Sequence, residues 1–401
     1  MDDCEITDHQ IEKHHLTEKQ VPLSVRWETK DVCHDLNREF GFNEAESSIA
    51  LSLTSEFRGR GRYTSYSLHA EWYSRHKDRI LSYRKVKAAF EGFEQAGLIE
   101  NHKQKPGKLG LQSYARAKVE LVERVELVFS PEKRLIIIEP REPIIIRDKD
   151  GVPTHFDENR ETRRMRRELE ALNECTRATD IKGPGSVISG LFSGPLSRIF
   201  NLSRDRCGRL YVQGGGIQSM TKAARKQITI DGEPVNEIDY KNLHPVMLYS
   251  EAGLKAPPDC YDIHGWVREL RPLIKVALLI MINAKTKNTA RCAIVNHKTM
   301  ELVCEKGSPK AFWTADQLMD DVAKFHHAIS ESFYSDAGAR LMRRDSDIAA
   351  AVMLDMMSHG VCVQCIHDSF LVQVSKSHLL EESMKRAAYE GGLKTIELKY
   401  A

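Results

Sequence analysis

Long apolar runs are missing from this sequence, and so are internal repeats and low-complexity tracts. A membrane-spanning helix needs roughly 18 consecutive apolar residues, so the sequence predicts a protein without a membrane partner. The N-terminal stretch MDDCEITDHQIEKHH is acidic and carries histidines, unlike a signal peptide. We therefore expect a cytoplasmic protein.

Metal-binding cysteine motifs are scarce as well. Nine cysteines are spread along the chain, and only Cys362 and Cys365 have the CxxC spacing. A structural zinc site usually needs a second such pair, so reduced thiols are the expectation and metal binding at this pair is the alternative. His326 and His327 lie in DVAKFHHAISESF, a pattern typical of an amphipathic helix, where core or surface roles are expected.

The chain also lacks a strong excess of charge of either sign, with a formal net charge of +2. The whole molecule is therefore not a strong attractor of polyanions. Its basic residues are nevertheless clustered at 58–62, 83–87, 103–108 and 160–168. One basic cluster is often only a solvated surface, but four in one chain indicate nucleic acid as a partner.

The chain is long enough for two or three domains, because 41% of its 401 residues are hydrophobic. Helical and strand patterns both occur, which predicts an α+β fold. Prolines, charges and a turn signal concentrate at 139–161 and mark the best boundary. We predict an N-terminal domain over 1–150, a helical segment over 151–200 and a main domain over 201–401.

The N-terminal part has the order helix, strand, basic turn, strand. Residues 82–100 have apolar residues at helical spacing, a Lys/Pro/Gly turn follows, and residues 111–122 alternate as a strand does. This order is typical of a winged-helix-like domain, in which a helix enters a DNA groove and the turn contacts phosphates. A plain α+β cap or a domain for protein contacts is the alternative.

Two aspartates end apolar, strand-like segments. VQCIHDSFLVQV predicts a tight hairpin with Asp368 at its tip, and VNEIDYKNLHP ends a strand at Asp239. An ionised carboxylate in such a setting needs a cation. The two aspartates suit a pair of divalent cations that would clamp the oxygens of a phosphoryl transfer. An ordinary turn residue is the alternative for Asp368.

A cationic helix is predicted between these two segments. In RELRPLIKVALLIMINAKTK, Arg271 and Lys275 are four residues apart and share a helix face, while the following residues are apolar nearly all round. Two cations on a mostly buried helix need an anion, which a nucleoside triphosphate would supply. Structural salt bridges are the rival explanation.

These segments resemble the palm and fingers of the family A DNA polymerase superfamily, which contains DNA polymerase I and the phage-type single-subunit RNA polymerases. EIDYKNLHP is similar to the first palm motif, and IHDSF is similar to the His-Asp hairpin of the third. The resemblance implies a right-hand fold of palm, fingers and thumb, with two Mg²⁺ or Mn²⁺ ions on Asp239 and Asp368. It spans roughly residues 200–375 and none of the first 150.

The resemblance also implies a nucleotide site. Arg271 and the catalytic Lys275 match the fingers helix and, with His264 of the DIH motif, would hold the triphosphate. Asn283 departs from the family, which has Tyr followed by Gly at this point. His244 stands at the family's sugar-gate position, which favours deoxynucleotides.

Further matches imply contacts with the primer and template. The segment GRLYVQGGGIQ is similar to the family's primer-binding segment. His367 is expected to support the hairpin and primer terminus rather than act as a base. The helix at 159–178 precedes the palm as the thumb does, and its arginines would follow duplex phosphates. These primer and template positions are Arg209, Gln218, His367, Arg163, Arg164 and Arg167.

The implied activity is nucleotidyl transfer from a nucleoside triphosphate to a primer 3′-hydroxyl on a DNA template. No proofreading exonuclease motifs are present in the remaining sequence, so the implied enzyme lacks proofreading. A winged-helix-like domain next to a small palm suggests a replication or priming polymerase of a phage, plasmid or mobile element. The alternatives are a DNA-binding replication initiator or regulator with an inactive palm, a template-independent terminal transferase, and an RNA polymerase.

Overall fold

A computed structural model describes most of the chain, namely residues 20–23, 27–28, 30–59, 63–70, 73, 81–103, 112–129, 136–137, 142–213 and 216–400. Most of the basic clusters at 58–62 and 103–108 lies outside the described residues, and so does the N-terminal stretch up to residue 19. Helices and several sheets are both present, so the predicted α+β class is confirmed.

The helices are numbered in chain order. They are α1 (Lys30–Phe40), α2 (Glu44–Gly59), α3 (Tyr83–Gln95), α4 (Val119–Leu127), α5 (Arg160–Ala178), α6 (Lys222–Arg225), α7 (Leu243–Glu251), α8 (Arg271–Asn283), α9 (Lys287–Val295), α10 (Pro309–Phe325), α11 (Ala337–Ser358) and α12 (Ser377–Glu390).

The strands are numbered in the same way. They are β1 (Gln20–Pro22), β2 (Trp27–Glu28), β3 (Tyr63–Tyr66), β4 (Ile99–His102), β5 (Ser113–Ala117), β6 (Ile136–Ile137), β7 (Ile144–Arg147), β8 (Pro153–Thr154), β9 (Ile181–Lys182), β10 (Leu196–Asn201), β11 (Cys207–Val212), β12 (Thr229–Ile230), β13 (Glu233–Tyr240), β14 (Gln364–Ile366), β15 (Ser369–Gln373) and β16 (Leu398–Tyr400).

The chain divides into two compact units. The first comprises Met1–Arg141, Leu169–Ser197 and Tyr211–Val235, and the second comprises Glu142–Glu168, Arg198–Leu210 and Asn236–Ala401. Each unit therefore takes residues from three stretches of the chain. The division of the sequence at residues 150 and 200 stays a prediction.

The first unit contains a four-stranded sheet in the order β1, β3, β5, β4. Strand β1 is parallel to β3, and the other neighbours are antiparallel. Helix α3 begins after Ser82, whose side chain accepts a hydrogen bond from Lys85 N, and it buries the apolar face that its spacing predicts. Phe90 of this face stacks on Tyr66 of β3 with ring centroids 3.7 Å apart.

The predicted strand over 111–122 is only half correct. Strand β5 ends at Ala117, and helix α4 begins at Val119. The helix buries Leu121, Val122 and Val125, which have the spacing of one helix face. The alternation of VELV therefore misled the prediction, because it is compatible with both periods over so short a run.

The second unit is built around strand β13, which lies between β15 and β16. On one edge, Tyr240 N donates to the carbonyl oxygen of Asp368 at 3.2 Å. On the other edge, β16 pairs antiparallel with β13, so that Asp239 lies opposite Lys399. Strands β14 and β15 form the predicted hairpin.

Helix α8 forms the helical core of this unit together with α9, α10 and α11. Its buried residues are Leu273, Ile274, Ala277, Leu278, Met281 and Ile282. A capping box of Thr286 and Thr289 begins α9 directly after it. The buried surface on several sides agrees with the apolar pattern of the sequence.

No helix among the described residues combines the length and the apolar character that a bilayer crossing requires. The cytoplasmic location stays a prediction. The eight cysteines of the described part have free thiols, and Cys362 and Cys365 are buried.

His326 is a core residue. Helix α10 ends before it at Phe325 and a 3₁₀ helix follows, so the amphipathic helix predicted for this segment is interrupted. Tyr249 donates its hydroxyl hydrogen bond to His326 Nδ1 at 3.0 Å, and Nε2 donates to the carbonyl oxygen of Cys260 at 2.9 Å. These two partners suit the neutral imidazole.

We expect His326 to make stability depend on pH. Burial lowers the pKa of His326 below its usual value of 6.5, although the Cys260 carbonyl acts in the opposite direction. The unfolded chain therefore takes up a proton near pH 6.5 while the folded chain does not, so stability is full above this pH and falls below it. His326→Gln should weaken the pH dependence of the unfolding free energy, measured in urea between pH 7.5 and 5.5. The exposed His327→Gln should leave this pH dependence unchanged. Equal slopes in the two variants would contradict this.

Candidate active site

Asp239 and Asp368 lie beside each other at one end of the β13–β15 pair. Asp239 is the penultimate residue of β13, and Asp368 is in the two-residue turn between β14 and β15. The backbone bond from Tyr240 to Asp368 holds the two strands together at this point. Both aspartates line the same cavity of about 310 Å³.

Two tight turns produce this arrangement. His367, the first residue of the hairpin turn, has a φ of +61°, and Asn242, between β13 and α7, has a φ of +55°. Asn and His are enriched among residues with positive φ, although this conformation costs an L-residue about 1–2 kcal/mol. The left-handed residues let each strand end abruptly, with an aspartate at the cavity.

The surroundings of Asp239 disfavour its ionised form. Burial raises its pKa above the usual value, and the nearby charges of Asp368 and Glu237 raise it further. Lys399 opposes this shift, with its Nζ 2.9 Å from Asp239 Oδ2. A further cation at this carboxylate would therefore relieve unfavourable interactions.

The carboxylates fit a divalent cation. Asp239 Oδ1 is buried and has no hydrogen-bond partner among the described residues. Within the same part of the chain, no group of three or more His, Cys, Asp or Glu side chains is arranged around a common metal position. Two carboxylates alone suit Mg²⁺, which usually retains waters and takes further oxygens from substrate phosphates.

A third acidic residue lies on the same strand. Ser369, which follows the hairpin aspartate, donates its hydroxyl hydrogen bond to Glu237 Oε1 at 3.0 Å, and both side chains are buried. The serine of the HDS motif therefore connects β15 to β13 through a side chain. Glu237 also adds negative charge near Asp239.

Helix α8 contributes one row of side chains to the cavity. Lys275, Leu279 and Asn283 are spaced by four residues and all line it. Lys275 is exposed, and none of the described carboxylates forms an ion pair with it. Asn283 donates from Nδ2 to the Leu279 carbonyl oxygen at 2.7 Å. The row therefore combines one uncompensated cation with one carboxamide.

Arg271 and His264 do not line this cavity. Arg271 begins the same helical row, but its guanidinium forms two hydrogen bonds with the Asp259 carboxylate, at 3.0 and 3.1 Å, and lies over the ring of Tyr261. His264 is exposed in a turn before α8. The structural salt bridge that rivalled phosphate binding is thus present at Arg271 but not at Lys275.

Arg209 and His244, which line the cavity, form a buried charge cluster with Asp345. Arg209 donates from Nε to Asp345 Oδ2 at 2.9 Å and also from Nη2, and His244 Nε2 is 3.7 Å from the same oxygen. The Asp345 side chain is only 2% exposed. Burial raises the pKa of Asp345, but His244 and Arg209 outweigh it and keep the pKa below its usual value.

The remaining predicted positions have other surroundings. Burial lowers the pKa of His367, and the charge of Arg209 lowers it further. In the first unit, Gln218 Oε1 accepts a hydrogen bond from Val212 N at 2.9 Å. The arginines predicted to contact duplex phosphates are exposed on α5 and do not line the cavity; they are Arg163, Arg164 and Arg167.

Three residues of this site were missed in the sequence. Asp345 lies in the charged run RRDSD of α11, where its sequence neighbours do not distinguish it from a surface residue. Glu237 lies two residues before Asp239 and shares its strand face. Lys399 had no usable signal, because its contact with Asp239 depends on the pairing of two strands far apart in sequence.

Comparisons with known proteins include a weak similarity to a solved structure. No family model matches the chain, and no curated protein matches it. Among solved structures, the chain is similar to the POL domain of Pol1 from M. smegmatis in complex with DNA primer-template and dNTP. The identity is 11% and the TM-score 0.31, over 89% of this chain and 69% of that chain.

We expect Asp345→Ala to destabilise the second unit strongly. The change leaves the Arg209 guanidinium without its buried counter-charge, and breaking a buried pair in this way costs about 3–5 kcal/mol. The free energy of unfolding in urea measures the loss. Asp355→Ala on the same helix is the matched control, since its partner Arg386 is exposed and surface pairs contribute at most about 1 kcal/mol. Similar losses in both variants would contradict the role of Asp345.

Proposed function

We propose that this chain is a nucleotidyltransferase, a small family A-like polymerase that extends a primer on a DNA template. One observation carries the proposal: Asp239 of β13 and Asp368 of the adjoining hairpin turn share a cavity with Lys275 of α8, which forms no ion pair with the described carboxylates. Two carboxylates facing a cation across a cleft suit a metal-bound triphosphate.

In this proposal, Asp239 and Asp368 hold two Mg²⁺ or Mn²⁺ ions. When bound, such ions lower the pKa of the attacking 3′-hydroxyl and neutralise charge on the leaving pyrophosphate. The raised pKa of Asp239 and its unsatisfied Oδ1 support a cation at this carboxylate. The two residues orient the reacting groups and contribute fixed negative charge.

Lys275 is the proposed phosphate ligand of the chain. Its ammonium is exposed at the cavity and free of carboxylates among the described residues, so it can pair with the triphosphate. It would stabilise negative charge that develops on the phosphates during transfer. Arg271 and His264 join this role only if they leave their present positions, since Arg271 is paired with Asp259.

His244 and Arg209 are the proposed contacts for the sugar and the primer terminus. Both line the cavity, and both are oriented from behind by Asp345. The imidazole of His244 is a bulky group next to the metal-binding carboxylates, which favours deoxynucleotides over ribonucleotides. Asn283 lines the same cavity and would contact the incoming nucleotide.

The polymerase subdomains are proposed from the same elements. The β13–β15 sheet corresponds to the palm, and α8 with its neighbours corresponds to the fingers. Helix α5, which exposes Arg163, Arg164 and Arg167, corresponds to the thumb. Exposed arginines on one helix suit sequence-independent contacts with duplex phosphates.

The first unit is the proposed DNA-binding module. Its helices and the sheet order β1, β3, β5, β4 agree with a winged-helix-like arrangement. Helix α3 exposes Arg84, Lys85 and Lys87 on the side opposite its buried face. A basic helix next to a small sheet supports insertion into a DNA groove.

A second function is supported by the state of Arg271. Its pairing with Asp259 and the exposed position of His264 leave only part of the predicted triphosphate site at the cavity. A DNA-binding replication initiator or regulator with an inactive palm would not need the complete triphosphate site. A template-independent transferase or an RNA polymerase would use the same carboxylates, so the assay below separates them by substrate.

We expect Asp239→Asn and Asp368→Asn each to lower nucleotide incorporation by at least about a hundredfold. Each change removes a negative charge where the transition state depends on electrostatic stabilisation. Incorporation is measured on a primed template with Mg²⁺ or Mn²⁺, with dNTPs and NTPs in separate reactions and a further reaction without template.

Asp355→Asn is the control, because this carboxylate is outside the cavity and pairs with Arg386. Wild-type protein that incorporates nothing would favour the inactive regulator and overturn the enzyme proposal. Extension without template would indicate a terminal transferase, and extension with NTPs alone an RNA polymerase.

We expect Arg84→Gln/Lys87→Gln to weaken duplex DNA binding. These side chains lie three residues apart on α3, so both can reach one DNA backbone. Each lost phosphate contact should reduce the slope of log affinity against log salt by about 0.9. Lys222→Gln/Lys226→Gln, which removes two exposed charges of the same unit, should have a smaller effect. Equal effects of the two double variants would contradict a specific DNA role for α3.

A further inference from the structure

Lys399 is brought to Asp239 by strand pairing and not by a flexible tail. Strand β16 pairs antiparallel with β13, and Lys399 is directly opposite Asp239 in the register. Its Nζ lies 2.9 Å from Asp239 Oδ2, and it also lines the cavity. Opposite residues of an antiparallel pair are held with their Cβ atoms about 4.5–5.5 Å apart, so the contact is built into the sheet.

We propose that Lys399 is a built-in counter-ion of Asp239, which a divalent cation must displace from the carboxylate in order to bind. This inference rests on the proposed function, because it assumes that Asp239 is a metal ligand. It assigns Lys399 a role as a positioning residue that weakens metal binding when no nucleotide is present.

The charges around Asp239 require such a counter-ion. Asp368 and Glu237 both add negative charge near a half-buried carboxylate. Among the described residues, Lys399 is the cation that forms an ion pair with Asp239. Without a metal ion it therefore compensates the acidic cluster and holds Asp239 Oδ2 in place, while Oδ1 stays unsatisfied.

The same ammonium opposes a metal ion. A divalent cation on Asp239 would lie within a few ångströms of Nζ, where like charges repel strongly in a partly buried site. The Lys399 side chain is 47% exposed and has a flexible stem, so it can move aside toward the cavity. There it would meet the phosphates of a nucleotide, which favours metal and nucleotide entering together.

The sheet offers a matched control two residues away. Lys241 directly follows β13, Glu397 directly precedes β16, and Lys241 Nζ pairs with Glu397 Oε2 at 2.7 Å. This second lysine has the same charge and a similar cross-strand contact, but its carboxylate partner is not Asp239. Loss of Lys241 therefore reports on the general effect of removing a positive charge from the pair β13 and β16.

The experiment measures Mn²⁺ binding to the full chain by isothermal titration calorimetry, without nucleotide. Lys399→Gln should bind Mn²⁺ about tenfold more tightly than wild type, because it removes the competing charge. Lys399→Arg should stay near the wild-type affinity, and Lys241→Gln should change it much less than Lys399→Gln. Asp239→Asn should weaken binding in the wild-type and Lys399→Gln backgrounds alike.

Thermal unfolding gives a second readout that does not depend on activity. Lys399→Gln should lower Tm without metal, since the acidic cluster loses its counter-ion, and should gain more in Tm from Mn²⁺ than wild type gains. Lys241→Gln should show the Mn²⁺ gain of wild type.

The possible results separate this inference from the proposed function. Equal or weaker Mn²⁺ binding by Lys399→Gln, with binding still dependent on Asp239, would overturn the counter-ion role and leave the metal site intact. Binding that is unaffected by Asp239→Asn, or no binding in wild type and Lys399→Gln alike, would overturn the metal site and the inference together.

Discussion

Two carboxylates on adjacent strands are the constraint around which the second unit is organised. Neighbouring strands lie about 4.8 Å apart, so the backbone hydrogen bond from Tyr240 to the hairpin brings Asp239 close to the turn residue Asp368. Burial raises the pKa of Asp239, and the nearby charge of Asp368 raises it further, because like charges disfavour ionisation. The hairpin along one edge of β13 thus supplies the second carboxylate, and β16 along the other edge supplies the compensating Lys399.

The charges farther from β13 are paired in a different way. Asp345 is almost completely buried and binds Arg209, and Asp259 takes up Arg271. Lys275, in contrast, is presented at the cavity without a carboxylate among the described residues. In the proposed enzyme, this exposed cation beside two aspartates would receive an anion that arrives with its own metal ions.

The local parts of this site were predictable from sequence. Strand and turn patterns identified the hairpin of Asp368 and the strand end at Asp239, since both signals lie within a dozen residues. Helical spacing predicted that Arg271 and Lys275 share a helix face, and the resemblance added Asn283. The polymerase resemblance predicted that these segments form one site.

The contacts that the sequence did not reveal join distant segments. Arg271 shares the face of Lys275, yet Asp259 draws it away from the cavity, and helical spacing contains no information about that partner. The contacts of Asp345 and Lys399 depend on the packing of α11 and the pairing of β16, which the sequence does not show. In the first unit, VELV was ambiguous between strand and helix until the buried face of α4 decided it.

Asn283 is the departure from the family pattern that the fold itself accommodates. A Cβ atom on Gly338 of α11 would lie 1.8 Å from Asn283 Oδ1, so the absence of a side chain at Gly338 makes room for the carboxamide. The cavity wall at this point is therefore a hydrogen-bonding group, with Nδ2 already donated to Leu279. In the proposed enzyme, the incoming nucleotide would meet this carboxamide, whose Oδ1 packs against Gly338, instead of an aromatic ring. The stacking area that an aromatic ring provides is therefore absent at this position.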